Sequence, residues 1–211
     1  MIIASEEAFP DPAMQRAAQL VLSGNALGAI EAARATTAGI NTIGPKRDTL
    51  LKLAVRQNDL TTVNALVAAG ADPNIPSDRA PVAAASEIAD TAIVLALLRA
   101  GANPDGAVDG ETALWRAALT GRRDVAELLL KHGARVDLGN ADGMTPAMAA
   151  VKADHYSMAL YLLEQGASPF ARSKGGTSLS EWAAESKVHP DSEEGQAREQ
   201  LYAVLRHANA V

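Results

Sequence analysis

The sequence predicts an all-α repeat solenoid of about six stacked helix pairs, and three observations predict it. The first is a period. LVAAGADPN at 66–74, LLRAGANPD at 97–105, LLKHGARVD at 129–137 and LLEQGASPF at 162–170 align, with Gly70, Gly101, Gly133 and Gly166 spaced by 31, 32 and 33 residues. Self-similarity at such a spacing is the mark of repeat architectures. A degenerate fifth copy, TAGIN at 37–41, places Asn41 33 residues before Asn74. The second observation is composition: 45 alanines stand against seven aromatics. A core made of small side chains with Leu, Val and Ile suits closely packed helices and not a β-sandwich. The third is punctuation. Each copy ends an apolar helix on Gly, which takes the left-handed C′ conformation without a Cβ clash. Pro73, Pro104 and Pro169 then forbid the helix from continuing.

The elements follow in order within a single domain over 1–211. Residues 13–41 form an N-terminal capping repeat, whose helix pair over 13–37 breaks at Ser23-Gly24-Asn25. Four internal repeats occupy 48–170, and 177–208 form a C-terminal capping repeat. First helices are predicted over 49–57, 80–88, 112–120, 145–153 and 177–186. They start on Thr49, Ala80, Thr112, Thr145 and Thr177, since Thr can cap the free N–H groups of a first turn. Second helices open after breaks at Asn58-Asp59, Ala89-Asp90, Gly121 and Asp154. Ala54, Ala85, Ala117, Ala118, Ala150 and Ala183 place methyl groups where helix axes approach to about 8–10 Å. Leu66, Leu97, Leu98, Leu129, Leu130, Leu162 and Leu163 fill the core that no single repeat could bury. DGAVDGE at 105–111 reads as a Gly-rich hairpin finger, without the ligand spacing and terminal Glu of a calcium loop. SKVHPDSEEGQ at 186–196 reads as a polar, mobile connection to a last helix near 196–207, with a recognition element as the alternative.

Several classes of function are disfavoured. A net charge of −6 and a pI near 5.2 oppose nucleic-acid binding, which needs a basic face. With no Cys there are no disulfides, thiolate metal sites or Cys nucleophiles. The four histidines, His132, His155, His189 and His207, lack metal-ligand spacing, so no metal is expected. GxSxG, Walker and GxGxxG motifs are absent, and neither catalysis nor a cofactor is expected. No run approaches the roughly 18 apolar residues of a membrane span, so no direct membrane insertion is expected. Glu6 and Glu7 follow Met1-Ile2-Ile3-Ala4-Ser5 at once. The expected location is the periplasm if a leader has been removed, and the cytoplasm otherwise.

The unit of helix, turn, helix and extended return resembles the ankyrin repeat. The family's helix-start pattern, Thr-Pro-Leu-His, reads here as TLLK at 49–52, APVA at 80–83, TALW at 112–115, TPAM at 145–148 and TSLS at 177–180. The histidine is absent from all five. The resemblance implies a protein-binding module whose hairpin fingers and first helices make a concave face. Carried over by position, the fingers supply Asp78, Arg79, Asp109, Glu111, Met144, Arg172 and Lys174. First-helix ends supply Arg56, Glu87, Ile88, Leu119 and Lys152, and Trp115 and Arg116 stand mid-helix. Three are unusual: Arg116 follows Trp115 where Leu is customary, Met144 is apolar on a finger, and Ile88 ends a helix facing solvent. Exposed aromatic, Arg and Met residues are enriched at binding hot spots.

The opening AFPDP at 8–12, the Ala-rich units and the polar C-terminal loop are similar to bacterial ankyrin-repeat immunity proteins. That resemblance implies a partner that is a secreted antibacterial effector, such as a lipase, neutralised at the concave face by a protein that is monomeric when free. The alternative reading is a cytosolic scaffold or regulatory adaptor that binds an endogenous protein.

Overall fold

The computed structural model describes residues 9, 11–36, 39–44, 47–75, 80–88 and 90–208. The chain divides into two compact units, Met1–Asp109 and Gly110–Val211. Among the described residues the first unit contains α1 (Pro12–Leu22), α2 (Ala26–Arg34), α3 (Leu50–Arg56), α4 (Leu60–Ala68), α5 (Pro81–Ile88), α6 (Thr91–Arg99) and the short strand β1 (Ala107–Val108). The second contains β2 (Glu111–Thr112), α7 (Ala113–Leu119), α8 (Arg123–Lys131), α9 (Pro146–Lys152), α10 (Tyr156–Glu164), α11 (Leu179–Ala184) and α12 (Glu193–Ala208).

Each unit is a stack of helix pairs in two layers. In the first, α1, α3 and α5 pack side by side, as do α2, α4 and α6. In the second, α7, α9 and α11 form one layer, while α8, α10 and α12 are their second-helix partners. This is the all-α repeat solenoid the period predicts. The alanines expected at close approaches, Ala54, Ala85, Ala117, Ala118, Ala150 and Ala183, are all fully buried.

Helix starts follow the capping residues. The hydroxyls of Thr49, Thr112 and Thr145 accept the N–H groups of Lys52, Trp115 and Met148. Ala80 has no side chain to offer, and its own N–H instead donates to the carbonyl of Ala107 at 2.9 Å, tying the start of α5 to β1. Helix ends follow the glycines. Gly70, Gly101, Gly133 and Gly166 all lie at φ between 86° and 97°, and the N–H of the next residue reaches back to Leu66, Leu97, Leu129 or Leu162 at 2.9–3.0 Å. That bond satisfies carbonyls a helix end leaves orphaned.

Asparagines staple one repeat to the next. Asn41 donates to the carbonyl of Gly70 and accepts the N–H of Asp72, and 33 residues later Asn74 does the same to Gly101 and Asn103. In the second unit the carboxylate of Asp137 accepts the N–H of Ser168. The periodic Asn seen in the sequence is therefore an inter-repeat hydrogen-bonding device. Thr37 and Ala38, the first residues of the degenerate copy, lie outside the described residues.

Three expectations are corrected. Thr177 does not cap α11. Ser178 does, in a capping box with Glu181 that satisfies two N–H groups reciprocally. Leu130 and Leu163 are half-buried rather than core, because each lies about 100° around its helix from the fully buried Leu129 or Leu162. The last helix starts at Glu193, three residues before the predicted 196. In the connection before it, Ser192 donates to the carbonyl of His189 and accepts the N–H of Gly195. Beyond these, α10 has no side-chain cap of its own, and Glu194 of α12 accepts the N–H of Ser157 at 2.9 Å. The polar 186–196 segment thus closes the second unit through side-chain contacts.

Candidate functional site

Counting from each capping residue orders the working side of the first helices. Four residues on from the cap stand Leu53, Ala84, Arg116, Ala149 and, with Ser178 as the true cap, Trp182. Seven residues on stand Arg56, Glu87, Leu119, Lys152 and Glu185. A separation of three residues keeps both sets on one face of each helix.

In the first unit, Arg56 is exposed and Ile88 is 58% exposed, with Glu87 exposed beside it. Arg56 is not free-swinging. Its guanidinium lies 3.2 Å from Asp48, which also receives the ammonium of Lys52 at 2.9 Å. Asp48 and Lys52 are both buried, so this triad carries charge into the repeat and holds Arg56 at its rim. Asp109 is exposed, and with Gly110 it has the two positive φ values of a type I′ turn, so 105–111 folds as the predicted finger. Asp78 and Arg79 lie outside the described residues.

In the second unit the expected residues are coupled in pairs. Arg116 meets Glu111 at 2.9 Å with its side chain only 16% exposed, so finger and first helix act as one element. Lys152 holds its ammonium 5.2 Å from the centre of the Trp182 ring. Arg172 donates to the carbonyl of Gly176 and approaches Glu181 at 3.5 Å. Lys174 is exposed, and its N–H is bonded to the carbonyl of Asp142, linking two successive fingers. Hydrogen bonds from the backbone and hydroxyl of Ser178 hold the Glu181 carboxyl below its usual range. Leu119 is half-buried.

Two residues do not have the exposure expected of them. Met144 is buried because Asn140 accepts its N–H and donates to its carbonyl, folding the 140–144 turn so that the Met side chain points inward. Trp115 is 5% exposed and packs in the core, its ring N–H without a partner among the described residues. It stands at the position where the family pattern has His, three residues after the cap. Lys52, Ala83 and Met148 share that position, and all are buried.

Trp182, half-buried beside Lys152, was missed by the sequence reading. Taking Thr177 as the cap displaced the last repeat by one residue and moved Trp182 off the working face. The Ser-x-x-Glu spacing of 178–181 is the signal that restores it. Among the described residues no cluster of His, Asp or Glu could hold a metal ion, and no helix is long and apolar enough to cross a membrane.

A layer of short first helices presenting fixed, partly exposed side chains between fingers defines a protein-binding repeat module. An ankyrin repeat family model matches residues 46–78, and a three-copy ankyrin repeats model matches residues 82–173. The chain belongs to the ankyrin-repeat family. It is 36% identical over 123 residues to the putative ankyrin repeat protein FPV031 of Fowlpox virus, covering 54% of this chain and 36% of that one. It is 42% identical over 86 residues to the potassium channel AKT3 of Oryza sativa subsp. japonica, covering 39% of this chain and 10% of the channel. With mouse Rabankyrin-5 it shares 32% identity over 138 residues, 58% of this chain and 10% of that protein. The chain thus spans about a tenth to a third of the length of these curated relatives.

Proposed function

We propose that the chain binds and neutralises a secreted antibacterial effector, with finger and first-helix residues as its contacts. The observation that carries this reading is the set of cationic side chains held in place in the second unit: Arg116 by Glu111, Lys152 over Trp182, and Arg172 by Gly176 and Glu181. Side chains immobilised before binding lose less entropy on complex formation, which favours the tight, rigid recognition that inhibition of a toxin requires. The similarity of AFPDP and the Ala-rich units to bacterial immunity proteins supplies the partner class. Phe9 is fully buried and Asp11 caps α1, so this opening anchors the first helix pair. On this reading the encounter lies in the periplasm if a leader has been removed from the chain, and in the cytoplasm otherwise.

Co-expression with a toxin encoded beside this chain's gene tests the reading. The wild type should restore growth. Arg116→Ala with Lys152→Ala should weaken binding by about 2 kcal/mol or more, in the range of hot-spot truncations, and abolish protection while the helical spectrum is unchanged. A chain that captures an endogenous protein and gives no protection would be an adaptor.

A further inference from the structure

On the solvent side of α4 and α6 lies an apolar groove of about 380 Å³, away from the fingers and first helices. Leu60 and Val67, with the exposed Asn64 between them, form one wall and Leu95 the other, with Ala92 and Ala96 leaving space between. The apolar residues among them are half-buried. Asn58 accepts the N–H of Asp90 at 2.8 Å, which sets the N-terminal ends of the two helices together, so they run parallel along the groove. From Ala92 to Ala100 the groove is about 12 Å long, roughly two turns of helix.

Its two ends differ in charge. The carboxylates of Asp59 and Asp90 cap the helices at one end. Arg99 lines the other, exposed and without an ion-pair partner among the described residues. The second unit treats the matching position differently. Both α6 and α10 are nine residues long, and Tyr161 of α10 stands where α6 has Ala96. The guanidinium of Arg123 covers the Tyr161 ring at 4.3 Å. What is filled and covered there is open in the first unit.

We propose that this groove docks an amphipathic helix from a partner protein, with apolar residues at i, i+3 or i+4, and i+7. The alanines permit close approach of a third backbone, at about 8–10 Å between axes. The charges set direction: an acidic residue lies at Arg99 and a basic one at Asp59 and Asp90. A helix with its acidic residue in the first turn and its basic residue in the last is matched to its own dipole, and it runs antiparallel to α4 and α6. This site is independent of the face assigned to the effector.

The test uses the full chain and a fluorescent, side-chain-stapled peptide about four turns long. It carries leucines at i, i+3 and i+7 spacing, Glu in its first turn and Lys in its last, and a second peptide has the two charges exchanged. In fluorescence anisotropy the first peptide should bind the wild type more tightly than the second. Ala96→Tyr should weaken it about tenfold or more. Arg99→Glu should abolish the preference between the two peptides, because both ends of the groove are then acidic, and Arg116→Ala should leave both unchanged. Binding unaffected by Ala96→Tyr, no charge preference, or no binding by either peptide would overturn the proposal. So would a light-scattering mass showing a dimer that Ala96→Tyr dissociates, since a second copy would then be the occupant.

Discussion

The two units use one repeat framework and fill it with different chemistry. Six of the seven aromatics lie beyond residue 109, and the first unit has Phe9 alone. Three residues after the helix cap, the first unit buries Lys52 against Asp48, whereas the second buries Trp115 and Met148. On the second-helix side Ala96 leaves a groove, and its counterpart Tyr161 closes one under Arg123. The shared parts are the capping hydroxyl, the left-handed glycine and the alanines between helices. The difference teaches that these backbone devices specify the stack, while the side chains between them are free to supply binding chemistry.

The sharpest way to break the comparison is through charge. Removing one member of a buried ion pair strands the other, at about 3–5 kcal/mol. Asp48→Ala should therefore lower stability by that order in chemical denaturation, because Lys52 remains buried. Arg172→Ala, from an ion pair whose members are 60% and 58% exposed, should cost less than about 1 kcal/mol. Equal losses would mean that the two pairs are equivalent.

Packing gives a smaller effect. Ala117 and Ala150 are fully buried, and Ala117→Phe or Ala150→Phe should overpack the helix contacts at about 1–3 kcal/mol. Ala96→Tyr on the open groove should leave the midpoint within about 0.5 kcal/mol of wild type, as surface substitutions do. A cap comparison sharpens the register of the last repeat: Ser178→Ala should cost about 1 kcal/mol and Thr177→Ala almost nothing.

The smallest effect depends on pH. The Asp59 carboxyl lies below its usual 3.8, chiefly through the hydroxyl of Thr62 and then its backbone N–H. A folded-state value below the unfolded one contributes stability at neutral pH, which is lost as pH falls through 3.8 toward the folded value. The stability gap between wild type and Asp59→Ala should narrow as pH drops below about 5. A gap constant with pH would show that Asp59 supports α4 without its charge.

Much of the fold was legible because its determinants are local. The glycines that end the second helices were found by their spacing, since a residue free of Cβ strain takes the left-handed region most readily, although Asn58 and Asp154 take it after α3 and α9. The capping hydroxyls at Thr49, Thr112 and Thr145 were found because a cap acts on N–H groups two or three residues away. Where two caps competed, at Thr177 and Ser178, the choice fell to Glu181, and misplacing it by one residue concealed Trp182. The candidate face was legible as positions but not as exposures. Burial of Met144 depends on how the 140–144 turn folds, and burial of Trp115 on the helices packed around it.

Period, composition and punctuation were enough for a stack of helix pairs and for the boundaries of most of its helices, because those features act within a few residues of chain. Which aromatics are covered and where a groove stays open depended on residues about one repeat apart. Lys152 reaches Trp182 across 30 positions, Ser157 finds its cap in Glu194, and Ala96 borders a groove because Leu60 and Val67 lie opposite. Such contacts have no local signature, and only the packing of one repeat on the next brings them together.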